Sequence, residues 1–232
     1  MNAAGRPRSS DAPTTLAIAP RHWFTRQSGE SVRAAESKRE GNVSTYHAVL
    51  FLHFVSLFVG FGAAAVMGLC LFRLRAATTV ADALPWAAVA GKTERAFPVA
   101  ILGLFITGGY MTSDVWTWST AWIDVGIVAL VYLAASGILI ASQRAKALEH
   151  ALNANGSGPL SPASRKLTCD PALWMVSFGN PGLVVGLVWD MTQKPGLLGA
   201  IVAAVIGLVA GAAVALPFAK VPAAETQPVP AA

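Results

Sequence analysis

The sequence predicts an all-α polytopic transmembrane helical bundle of five spans. Three observations predict it: a composition too apolar for a water-soluble fold, five long runs almost free of charge, and basic residues gathered in alternate links between them. Of 232 residues 54% are hydrophobic and 12% charged, against roughly 25% charged in soluble domains. The 17 Lys and Arg exceed the 12 Asp and Glu, for a net charge of +5. These basic residues flank apolar runs, where they read as topology signals, and no basic stripe with interleaved aromatics accompanies them. The expected partner is the lipid bilayer and not nucleic acid. Cys70 and Cys169 belong to no C-x-x-C pair, so a disulfide framework and a zinc ribbon are excluded and two free thiols are expected.

Residues 1–42 are polar, rich in Arg, Ser and Ala, and lack a sustained apolar period, which predicts a disordered tail. Lys38-Arg39-Glu40-Gly41 can be encoded by a purine-rich ribosome-binding run ahead of Val43, itself readable as a start codon, so the native product is expected to begin at Val43. The alternative is a genuine basic tail. From Tyr46 to Phe72 there is no charged residue, which exceeds the ~20 residues needed to cross the hydrocarbon. Arg73 and Arg75 close this first span, and a polar link through Pro85, Gly91 and Lys92 is expected to follow. The second span is expected over Phe97 to Val115, with Pro98 tolerated in the first turn, where amides have no helical partner. Trp116, Trp118 and Trp122 cluster at a turn, as an aromatic belt does at the headgroups, and a third span follows over Ala121 to Ser142.

A helical continuation over Arg144 to Leu152 is expected to break at Asn155-Gly156-Ser157-Gly158-Pro159. Pro171 to Trp189 is long and uncharged but carries Asn180-Pro181-Gly182 at its centre. It reads as a fourth, kinked span, or as a re-entrant segment that would leave four spans. Gly196 to Ala219 is the last span, and residues 221–232 form a flexible tail, which leaves 43–220 as the bundle. Counted from Val43, Arg73, Arg75, Lys92, Arg95, Arg144, Lys146, Arg165, Lys166 and Lys220 fall on one side and Lys194 on the other, where a genuine tail would add Arg33, Lys38 and Arg39 without reversing the balance. The positive-inside rule then orients the chain in a bacterial inner membrane with the Val43 end outside and the C-terminus cytoplasmic.

Lipid tails are as apolar as leucine, so membrane helices associate through close packing of small residues. Gly199, Ala203, Gly207, Gly211 and Ala215 recur every four residues along the last span. This stripe serves either packing within the chain, the favoured reading, or a homo-oligomer or larger membrane complex. Enzyme motifs are lacking, so the candidate chemistry lies in intramembrane polar groups, which are costly in hydrocarbon. His53 lies about two turns inside span one, and His47 points about 240° away from it around the helix. With the orientation above, His53, Tyr110, Asp114, Asp124 and Asp190 share the outer half. His53 with Asp124 is the candidate metal or proton site. The structural alternative has His53 fixing helix register through a backbone carbonyl or Asp124, with Asp114 and Asp190 at water-facing ends. His150, beside Glu149, is expected on a solvated face.

Leu52-His53-Phe54 through Gly60-Phe61-Gly62, Thr107-Gly108-Gly109-Tyr110, Trp122-Ile123, and Trp189-Asp190-Met191 to Lys194-Pro195 carry a family resemblance. Their layout resembles small bacterial integral membrane proteins of unknown function, and it is similar to membrane proteins of the copper-resistance D type and the HemJ-type protoporphyrinogen oxidase. The HemJ-type resemblance implies haem bound by a histidine at the position of His53, and the copper-resistance type implies copper. Three functions therefore compete: a structural or accessory membrane subunit, a haem- or metal-binding protein using His53, and a small transporter built around the Asn180-Pro181-Gly182 break.

Overall fold

A computed structural model of the chain describes residues 21–220, so the tails expected at the two ends fall outside the described residues over 1–20 and 221–232. The chain divides at Thr45 into two units. The first ends within α1, the helix Arg21–Ala76. This helix corrects the expectation of a disordered tail over 21–42. Residues 33–40 are dominated by Ala, Glu, Lys and Arg, strong helix formers, and lengthening an existing helix avoids the cost of nucleating a new one.

The second unit, from Tyr46 on, is the bundle. Among the described residues five helical stretches are long and apolar enough to cross a membrane: Thr45–Ala76, Val80–Val115, Ala121–Ala154, Pro162–Gln193 and Leu197–Phe218. The predicted all-α multipass architecture is therefore present.

The link expected after span one is itself helical. α2 (Val80–Glu94) starts at Thr79, whose hydroxyl accepts from the Asp82 amide, and it passes through one turn at Arg95 into α3 (Ala96–Val115). Pro85 sits early in α2, where its ring removes one hydrogen bond without ending the helix. α1 and the α2–α3 run are antiparallel neighbours. A Cβ on Gly60 would touch Ala100, and the Arg73 guanidinium lies over the Trp86 ring.

Span three is α4 (Ala121–Ser136), a π-helical turn (Gly137–Ala141) and α5 (Ser142–Ala154). At the basic end of the bundle α5 packs on α1 and α2 through Leu74, Ala77, Ala83, Leu148 and Leu152. The loop predicted at 155–159 turns through Gly156 and Gly158, both with positive φ, and its ends are tied by Val80 N–H to Gly158 O and Leu160 N–H to Thr78 O. α6 (Pro162–Thr168) follows, capped by Ser161.

α7 (Pro171–Gln193) is one helix through Asn180-Pro181-Gly182, so the fourth apolar stretch is a full-length helix and not a re-entrant segment. Pro181 costs one backbone bond, and Gly179 and Gly182 on either side of it pack against α8. At its start Asp170 caps the Leu173 amide and pairs with Arg144 at 3.4 Å. Trp174, fully buried, donates from Nε1 to Thr168 O and stacks on Phe178 and Phe218, with Phe72 edge-on. A turn with Lys194 in the left-handed region leads to α8 (Leu197–Ala215), which ends in a 3₁₀ turn over Leu216–Phe218.

Candidate functional site

Two intramembrane features stand out: a seam of backbone contacts between α7 and α8, and a few sealed polar groups. The seam is built from glycines on both helices. A Cβ on Gly182 would collide with the Gly207 carbonyl oxygen, one on Gly211 with that of Phe178, and one on Gly207 with that of Gly182. On Gly186 it would stand 2.5 Å from Ala203 O, and on Gly179 3.2 Å from Leu208 Cδ1. Such closeness lets carbonyls meet Cα–H groups across the interface.

Of the predicted stripe, Ala203, Gly207 and Gly211 lie in this seam, and Ala215 is sealed against Leu71, Leu173 and Trp174. Gly199 is the correction. It is exposed, a Cβ there would meet only Pro195 of the turn, and Ala200 takes the buried position instead. Steps of four advance about 400°, so a stripe drifts about 40° per step and cannot keep both ends on one neighbour. The partner half is in the sequence too: Gly182 and Gly186 form a second G-x-x-x-G, hidden by its place in the Asn-Pro-Gly triplet.

His53 is 6% exposed, between α1 and α3. Its Nδ1 lies 2.8 Å from Thr107 Oγ1, and that hydroxyl donates to Gly103 O at 2.6 Å. A threonine hydroxyl has one hydrogen, spent on Gly103, so it accepts from Nδ1–H of the imidazole. Nε2 makes no hydrogen bond among the described residues. Gly108 lets the ring lie close, since a Cβ there would be 3.6 Å from Cε1.

The pairing of His53 with Asp124 does not form. Asp124 is exposed in the first turn of α4, where water and the positive end of the helix stabilise a carboxylate. The antiparallel register that sets Gly60 on Ala100 carries α1 upward to Thr107 instead. Asp114, Tyr110, His47 and His150 are likewise exposed. Cys70 and Cys169 are free and buried, and the Cys169 sulfur accepts from Arg75 at 3.3 Å. Among the described residues no three His, Cys, Asp or Glu side chains gather as a metal-binding group.

Asp190 departs most from its expected place at a water-facing end. It is 1% exposed, and neither carboxyl oxygen has a partner. Continuing the seam outward from Gly186 on Ala203, the next rung holds Asp190 on α7 and Ala200 on α8, which is fully buried. Asn180 donates to Ser136 Oγ at 3.0 Å, next to the π turn, while its own Oδ1 is buried without a partner. All three unpartnered atoms are acceptors on α7. Nothing in the sequence separates these buried groups from the exposed Asp124, because depth along a helix is readable and azimuth is readable only against known neighbours. No family model, curated protein or solved structure matches the chain.

Proposed function

We propose that the chain is a structural or accessory subunit of a membrane assembly in a bacterial inner membrane, with the Val43 end outside and the C-terminus cytoplasmic. The observation that supports it most is the uneven closure of the bundle. The stretch Pro162–Gln193 has 39% of its apolar window buried within the chain, whereas the other four have 11% to 22%. Four spans thus offer long apolar faces to lipid or to neighbouring helices. The orientation draws on the basic end, where Arg75, Arg144 and Arg165 are tied into the helix ends, against Lys194 near the Trp116 ring at the other end of the bundle from Tyr46 on. Blue-native electrophoresis of solubilised native membranes tests the subunit role. A complex well above the monomer is expected, and a monomer under the mildest solubilisation would refute it.

A second reading has His53 as a ligand to haem or a metal, favoured by the fixed Nδ1–H and an Nε2 without a hydrogen bond among the described residues, since a ligating histidine has its other nitrogen held by a hydrogen bond. Visible spectroscopy of the purified protein tests this reading. Absorption bands lost in His53→Leu with the fold retained would support it. A colourless, metal-free protein from native membranes would reject it.

A further inference from the structure

At the basic end, an open cavity of about 420 Å³ lies between the end of α1 and the start of α2, lined by Arg73, Ala77, Asp82, Pro85 and Trp86 among others. Its size suits a small polar group. Arg73 is the first charge on α1 after the uncharged run Tyr46–Phe72, and the register that sets Gly60 on Ala100 places Lys92 and Arg95 of the neighbouring helix nearer the membrane centre, so the guanidinium lies on the headgroup side of the hydrocarbon. Trp86, over which Arg73 lies at 5.3 Å, is at the same level, as interfacial tryptophans are.

Three other arginines of this end are engaged. Arg75 donates to Phe218 O and Lys220 O, Arg165 donates to Arg75 O and Ala77 O, and Arg144 pairs with Asp170. Arg73 makes no hydrogen bond or ion pair among the described residues, so its five N–H donors are unspent beside the cavity. On the opposite wall, Asp82 uses Oδ2 to accept from Thr79 Oγ1 at 2.7 Å and keeps Oδ1 free. Below Arg73, one turn toward the membrane centre on the same face of α1, Leu69 is 49% exposed, an apolar track leading into the hydrocarbon.

We propose that this cavity binds the headgroup of a zwitterionic phospholipid with a primary ammonium, of the phosphatidylethanolamine class. The phosphate sits on Arg73, the ammonium on Asp82, and an acyl chain lies along Leu69. The chemistry selects this class. An arginine fork matches phosphate oxygens, and a carboxylate on the facing wall disfavours a headgroup with net negative charge. A trimethylated choline has no N–H for Asp82 to accept, and the Trp86 face that would otherwise receive it is covered by Arg73.

Native mass spectrometry of the full, delipidated chain in mild detergent tests the proposal, using an equimolar mixture of phosphatidylethanolamine, phosphatidylcholine and phosphatidylglycerol with identical acyl chains. Phosphatidylethanolamine adducts are expected at least fivefold above either competitor. Arg73→Gln should reduce them at least fivefold. Asp82→Asn, which keeps an oxygen for Thr79, should erase the preference over phosphatidylcholine while leaving the helical circular dichroism unchanged. Lys146→Gln, on an exposed stretch of α5, should behave as the unaltered chain. Equal binding of the three lipids, phosphatidylglycerol binding as well as or better than phosphatidylethanolamine, or full phosphatidylethanolamine binding by Arg73→Gln would overturn the proposal.

Discussion

Replacing Gly186 with alanine adds one methyl group inside the α7–α8 seam. That methyl would stand 2.5 Å from Ala203 O, 3.0 Å from Ala203 C and 3.1 Å from Ala204 Cα, all backbone atoms that cannot rotate away. Ordinary van der Waals separation begins near 3.4 Å, so α8 must retreat by about 0.9 Å. A gap of 0.5–1 Å forfeits roughly a quarter to a half of each dispersion well, and breaking a Cα–H···O interaction gives up about 0.5–1 kcal/mol. A cost of about 2 kcal/mol follows, within the ~1–3 kcal/mol typical of overpacking. The control is the same change at Gly126 in α4, where an added Cβ meets nothing within 4 Å. There alanine should raise stability by about 0.5–1 kcal/mol through helix propensity alone. Equilibrium unfolding in mixed micelles of a mild detergent and dodecyl sulfate measures both. A Gly186→Ala protein as stable as Gly126→Ala would refute the seam as a stabilising interface.

Three further outcomes follow from the polar groups and the basic end. Thr107→Val leaves the His53 Nδ1–H without an acceptor and should cost about 1–3 kcal/mol, and adding His53→Leu should cost less than the sum of the single changes; strict additivity in the same unfolding assay would refute the pair. Asp190→Leu removes two unpartnered buried oxygens and should stabilise the protein by about 1 kcal/mol or more, and a lower melting temperature would show that the carboxyl has a partner. Single cysteines at 92, 166 and 194 in a Cys70→Ser, Cys169→Ser background should react with an impermeant maleimide in intact cells at 194 alone, and labelling at 92 or 166 would overturn the orientation.

Span positions are legible because each is set by length and the absence of charge, quantities a sequence carries directly. Pro171 to Gln193 is harder, since Asn180-Pro181-Gly182 reads as a break in an isolated helix. Only the neighbour α8, close enough for Gly182 to meet Gly207, makes the glycine a point of packing instead of a weakness. The helicity of α2 is hidden by Pro85 and Gly91, the first tolerated where Ala83 and Trp86 pack on α1 and α5. At the candidate site the depth of His53 along its span identifies it, but depth alone points to the wrong partner helix. A carboxylate near the right depth draws the pairing to α4, while α3 carries a less conspicuous threonine at the level the helix register selects.

Arg75 ties the beginning of the bundle to its end, and this has a consequence for biogenesis. The Lys220 carbonyl that it holds lies 145 residues later in the chain, so at about 5–20 residues per second the guanidinium waits roughly 7–30 s for its acceptor to be synthesised. The hairpin of α1 with α2–α3 can form early, using residues already inserted. The clamp on Phe218 and Lys220 closes only after the last helix has left the translocon. A nascent chain stalled before Phe218 therefore holds Arg75 by the Cys169 sulfur alone, without its two carbonyl acceptors.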